Sequence, residues 1–162
     1  MRLWLGLVLM TLLAAQATGA KDPDGFGMWK PADFQAQEKV LDGKIGPDHS
    51  ARVTLGDYGN HLVRMIHRAA TGAPEFHANF VDLWIVESGK GTVVVGGTLT
   101  DPRPLGSGDA SRGEMTGSGI SGGERHEMSA GDVIHIPANT PHWAVVPDGG
   151  EITYLRIAIP VK

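Results

Sequence analysis

The sequence predicts an all-β domain, a closed barrel or sandwich, with one short helix ahead of it. From Ser50 onward the chain breaks into short runs rich in β-branched and apolar residues. Pairs such as Gly56-Asp57, Gly59-Asn60, Gly96-Gly97 and Asp148-Gly149 punctuate those runs as turns. Many short strands at this spacing indicate a sandwich or barrel and not a parallel α/β sheet. The 162 residues suffice for one such domain with a sizeable core, and neither an internal repeat nor a second domain is visible.

The elements follow in order. Residues 1–20, MRLWLGLVLMTLLAAQATGA, read as a signal peptide: Arg2 supplies the basic start, and Leu3 begins an apolar run too short to span a bilayer comfortably. Cleavage is expected after Ala17 or Ala20, with small residues and no basic cluster after the run arguing against a retained anchor. Residues 21–49 form an N-terminal arm, anchored by Phe26 and Trp29, and a short helix over 31–41. Pro31 is tolerated at its first position, and Phe34, Val40 and Leu41 give it a small apolar stripe. Residues 50–162 form the barrel, with strands expected near 51–55, 61–68, 74–78, 82–87, 91–99, 124–129, 132–136, 142–147 and 151–159. Residues 100–123 interrupt this rhythm: rich in Gly, Ser and Pro, they read as a long loop, either a lid over a barrel mouth or a surface insertion.

Composition excludes several functions. Without the first twenty residues the chain has 13 basic and 18 acidic side chains, a formal charge of −5, and no basic run to suit nucleic acid. There is no cysteine, hence no disulfide, lipid-attachment thiol or thiolate metal site. Residues 106–123 are glycine-rich but lack a Lys-Ser/Thr ending, and neither a nucleophile elbow nor a catalytic cysteine is present. The reading is a periplasmic or secreted protein with no membrane contact after signal cleavage.

Two segments carry candidate chemistry. In 75–91, EFHANFVDLWIVESGKG, Glu75 and His77 share one face of a strand, and Asp82 follows across a corner on the next, in phase with Trp84 and Val86. Burying such groups costs several kcal/mol unless something compensates them, and a metal ion is one compensator. In 130–146, AGDVIHIPANTPHWAVV, two prolines flank a turn that ends in His142, which aims one imidazole; Asn139 suits a left-handed position in that turn.

These two segments resemble the paired motifs of the cupin superfamily. The first motif's frame falls on Glu75, His77, Asp82 and Gly89, with Glu75 where a histidine is usual and Asp82 where a glutamate is usual. The second falls on Gly131, Pro137, Asn139, His142 and Val146, with Asn139 in place of a glycine and Val146 in place of an asparagine. The resemblance spans about residues 60–159, and the strings LGDYGNH and HRAATGAPEFH resemble a subgroup of exported bacterial cupins. It implies a double-stranded β-helix, or jelly-roll barrel, and a divalent metal held by Glu75, His77, Asp82 and His142. That set of two carboxylates and two imidazoles favours Mn or Fe, with Zn, Ni or Co also compatible. The alternative is a hydrogen-bonded polar network lining a wet cavity.

The resemblance implies a small-molecule substrate or ligand. The protein is then a metal-dependent enzyme of oxygenase, isomerase or lyase type, a non-catalytic binding or sensing module, or a purely structural barrel. Outer-face Leu83 and Ile85 suggest a homodimer. Trp84 is expected as a pocket wall and Trp143 in core or interface; His61, His67, Arg64 and Arg68 are expected at the surface or packed on the sheet. His135 is expected to line the cavity or the outer face, and His126 to be solvated.

Overall fold

A computed structural model describes residues 21–106 and 113–161. The expected signal peptide, 1–20, lies outside the described residues, and no helix among those described is long and apolar enough to cross a membrane. The elements are α1 (Pro31–Asp42), β1 (Ser50–Asp57), β2 (Leu62–Arg68), β3 (Glu75–His77), β4 (Phe80–Val95), β5 (Thr98–Thr100), β6 (Arg103–Pro104), β7 (Glu114–Thr116), β8 (Gly119–Ser121), β9 (Glu124–Ser129), β10 (Val133–Ile136), β11 (His142–Val145) and β12 (Ile152–Pro160).

β4 organises the barrel. Its first half pairs with β12 and β10, and β12 continues through β2 to β1, forming one antiparallel sheet. Its second half pairs with β9 and β11, and β11 continues through β3 and β7 to β6, forming the other. The sequence suggested two strands here with a turn at Ser88-Gly89. Instead one long strand bends between sheets, with a register irregularity against β12 between Thr153 and Tyr154. Gly89 sits at the bend with φ 74°, and a Cβ there would lie 2.1 Å from the Glu151 carbonyl oxygen. Only glycine fits.

Alternation along the strands divides inside from outside. Ile66, Trp84, Val86, Val93, Met128, Ile136, Ala144, Val146, Ile152 and Tyr154 fill the interior between the sheets. On the outer face Ala51, Met65 and Leu155 are covered by Leu41 of α1, with Phe34 and Ile85 packed alongside. The helix stripe is thus narrower than expected, since Val40 is exposed. Pro31 opens the helix, and the Asp33 carboxylate accepts the Lys30 backbone N–H at 2.8 Å.

The described parts of 100–123 form more strand than their composition suggested. β5 pairs with β8, and β6 and β7 extend the sheet beyond β3. Backbone pairing needs few apolar side chains, so a Gly- and Ser-rich run can still form ladder bonds. Thr116 is anchored through its hydroxyl to the Pro74 carbonyl at 2.7 Å. The tip, 107–112, lies outside the described residues.

Candidate functional site

Pairing explains why distant residues meet. Glu75 of β3 stands directly opposite His142 of β11, and His77, two positions on, shares the face of Glu75. The Pro137–Pro141 turn is tied down at Asn139, whose φ of 60° is left-handed and whose N–H donates to the His77 carbonyl at 2.9 Å. Asp82 enters from the other sheet, on the face shared with Trp84 and Val86.

The resulting distances are short. His77 Nε2 lies 3.4 Å from a Glu75 oxygen and 3.6 Å from Asp82 Oδ2. His142 Nε2 also lies 3.6 Å from Asp82 Oδ2, and the two imidazole centroids are 5.1 Å apart. One donor atom each from Glu75, His77 and His142 falls within a mutual 4.8 Å, a group able to hold a metal ion. His77, Asp82 and His142 are buried. His77 Nδ1 and Nε2, Asp82 Oδ1 and His142 Nε2 have no hydrogen-bond partner.

The surroundings set the donors' state. His142 Nδ1–H donates to the Thr140 carbonyl at 3.0 Å, which leaves the Nε2 lone pair facing the cluster. Burial lowers the His142 pKa, with His77 adding to the effect and Asp82 opposing it, so the neutral imidazole is favoured. Burial also opposes ionisation of Glu75, but His77, Arg68 and Arg156 outweigh it and hold the carboxyl well below its usual range. Asp82 is more committed: Oδ2 accepts from Arg156 Nε at 2.7 Å and from Trp84 Nε1 at 3.4 Å. Trp84 presents its edge to His142, with centroids 5.5 Å apart, but it is a buried member of the apolar interior and, contrary to what its phase suggested, does not line the adjoining cavity.

A cavity of about 570 Å³ opens onto Glu75 and His77. Four arginines line it: Arg52, Arg64, Arg68 and Arg156. Arg68 Nε donates to the Tyr154 hydroxyl at 2.9 Å and faces Glu75 at 4.0 Å. Glu114, from the expected loop, also lines the cavity and lies 4.0 Å from His77 Nδ1.

Sequence reasoning missed Arg64, Arg68, Tyr154, Arg156 and Glu114. Arg64 and Arg68 were expected at the surface or packed on the sheet; they face inward because they share the phase of buried Ile66. That alternation, and the phase of Tyr154, Arg156 and Ala158 on β12, was the signal available. His67 is buried on the opposite face, His61 lines the cavity, and His126 and His135 are exposed. Trp143 donates its Nε1–H to the Gly72 carbonyl at 2.6 Å.

No family model matches the sequence, and no curated protein matches it. Solved structures do resemble it. A protein from Thermus thermophilus is 14% identical over 72% of this chain and 88% of its own, with a TM-score of 0.51. A cupin 2 conserved barrel domain protein from Rhodopseudomonas palustris is 19% identical over 70% of this chain and 62% of its own, with a TM-score of 0.47. A Klebsiella pneumoniae protein with a double-stranded β-helix domain is 16% identical over 71% and 80%, with a TM-score of 0.49. This chain therefore spans less than two thirds of the Rhodopseudomonas protein. At these identities the likeness speaks for architecture alone. With two facing antiparallel sheets joined through one bent strand, the chain has the jelly-roll β-barrel architecture expected from its sequence.

Proposed function

We propose that this chain is an exported cupin metalloprotein that holds a divalent metal at Glu75, His77 and His142, with Asp82 beside them, and receives a small anionic molecule in the adjoining cavity. One observation carries the metal: the Nε2 atoms of two buried imidazoles, His77 and His142, lack hydrogen-bond partners while a donor atom from each falls with a Glu75 oxygen within a mutual 4.8 Å. Buried polar groups seldom stay unsatisfied, and a cation satisfies all of them at once. The carboxylate content favours Mn or Fe over Zn, Ni or Co. A bound divalent ion supplies Lewis acidity or oxygen activation at this place.

The chain's own residues define the rest. The Arg64 side chain has no hydrogen bond or ion pair among the described residues, although it stands opposite Arg156 in the sheet and lines the cavity. Burial, Arg156 and Arg52 lower its pKa, and Glu75 and Glu114 only partly offset them. A carboxylate or phosphate entering the cavity would pair with it. Glu75 and Glu114, facing the same space, are placed to hold a proton of the bound molecule.

The test is a binding panel of small carboxylates, phosphate monoesters and neutral sugars on metal-loaded protein. An anion should bind, and Arg64→Met should weaken it about tenfold to a hundredfold, as loss of a charged hydrogen bond does. Preference for neutral ligands, or an anion affinity indifferent to R64M, overturns the substrate class. Recovery of the bound molecule unchanged identifies a binder and not an enzyme. Export to the periplasm or beyond requires a mature chain starting at residue 18 or 21, and a full-length chain in the cytoplasm would contradict it. Two copies pairing through the outer sheet would use Leu83 and exposed Val133, since α1 covers part of that face; a monomer in sedimentation would refute the pairing.

A further inference from the structure

On the outer face, away from the barrel centre, His67 of β2 lies beneath α1. It is 1% exposed, yet its Nε2 has no hydrogen-bond partner. That nitrogen faces Asp42 Oδ1 at 3.8 Å, at the end of α1, and Glu151 Oε2 at 3.9 Å, just ahead of β12. Both distances exceed hydrogen-bond range. One donor atom from each of the three residues falls within a mutual 4.8 Å.

The other side of the ring fixes its tautomer. The Thr153 hydroxyl donates to Glu38 Oε1, as does the Ser88 hydroxyl. The Thr153 oxygen is therefore the acceptor in its 2.8 Å contact with His67 Nδ1, so that nitrogen carries the hydrogen. Nε2 is left with a lone pair directed at two carboxylates. Lone pair facing carboxylate is repulsive unless a positive charge stands between them. The chain Glu38–Thr153–His67 also orients the imidazole as outer-shell partners orient a metal-ligating histidine.

We propose that Asp42, His67 and Glu151 form a second divalent-cation site, of the zinc class, which clasps α1 to the barrel. The spacing suits this. Zinc bonds of about 2.0–2.2 Å place two donors about 3.3 Å apart at a tetrahedral angle and about 4.1 Å apart if opposed. The observed 3.8 and 3.9 Å lie between these limits. Asp42 and Glu151 are 69% and 62% exposed, free to close the remaining distance and to leave water at a fourth position. The hollow they border, about 410 Å³, is lined also by Gln35, Glu38 and Lys39 of α1 and by Ser88 and Gly89 at the bend of β4. Negative charge is crowded there: burial and Glu38 together raise the Glu87 carboxyl pKa.

The ion would join three segments remote in sequence: the helix end, the second strand and the turn into the last strand. Its binding energy would add to helix docking, which otherwise rests on Leu41 and its small cluster and on the Ser88 and Thr153 hydrogen bonds to Glu38. This site shares no residue with the barrel centre, so it stands or falls independently.

The test is a count of bound Zn²⁺ and Co²⁺ per chain after chelation and dialysis, on the parent protein and on Asp42→Asn/Glu151→Gln. Both substituted groups are exposed, so the fold should be unaffected. The double variant should bind one equivalent less than its parent, and the same one-equivalent loss should appear in a His77→Ala/His142→Ala background. Zn²⁺ should also slow amide exchange over residues 31–42 in the parent but not in D42N/E151Q. An unchanged stoichiometry in both backgrounds overturns the site.

Discussion

Replacing His77 by alanine is expected to abolish divalent-metal binding at the barrel centre while leaving the barrel folded. His77 contributes an unpartnered Nε2 positioned 3.4 Å from Glu75 and 3.6 Å from Asp82, within reach of both carboxylates. Outer-shell substitutions at metal sites typically cost about ten- to a hundredfold in affinity, and loss of a ligand should exceed that. His142→Ala should behave alike. Asp82→Asn should weaken the metal less, because Oδ2 is already engaged by Arg156 and Trp84. The fold should survive H77A because the apolar interior around Trp84 and Tyr154 does not depend on that ring. Elemental analysis and metal titration, with far-ultraviolet circular dichroism as the control for folding, read this out. A folded H77A protein retaining a full equivalent at the centre, counted in the D42N/E151Q background, would falsify the assignment.

The parts of this centre legible in the sequence were those governed by local rules. Strand alternation placed Glu75 with His77, and Asp82 with Trp84, while the proline-flanked turn marked His142 as an aimed side chain. Helix α1 was readable from Pro31 and the apolar spacing of Phe34 and Leu41. What alternation cannot do is choose which face is inside when both carry apolar residues. On β2 one face bears Met65 and buried His67, the other Ile66, Arg64 and Arg68, so alternation alone left the arginines expected at the surface or packed on the sheet. Their placement is decided by register: Arg64 stands opposite Arg156, and Arg156 opposite Trp84, in a row that only the assembled sheet defines. The bend of β4 was read as a turn because glycine signals both, and partners on either side decide between them. The pairing of β7 with β3, which brings in Glu114, depends on backbone ladders that leave little trace in composition.

Arg156→Met is expected to destabilise the metal-free protein by about 3–5 kcal/mol, the cost of leaving a buried carboxylate without its partner. Asp82 is 1% exposed, and the Arg156 Nε–H at 2.7 Å is its shortest contact; Trp84 at 3.4 Å offers only a weak donor. Burial works against the Arg156 charge, but Asp82, by its charge and hydrogen bond, more than restores it and raises the Arg156 pKa. Removing the guanidinium leaves an anion surrounded by Trp84 and two imidazoles, with no solvent to take over. The charge-neutral pair R156M/D82N should recover most of the loss, because an amide needs no counter-ion and methionine fills the space of the arginine stem. A divalent ion at Glu75, His77 and His142 faces the same carboxylate and should shrink the penalty of R156M alone. Urea unfolding of the chelated single and double variants, repeated with saturating metal, separates these contributions. A loss below about 1 kcal/mol in the chelated single variant, within the range of exposed ion pairs, would mean that Asp82 draws its compensation from elsewhere. Failure of D82N to restore stability would mean that Arg156 acts through packing and not through charge.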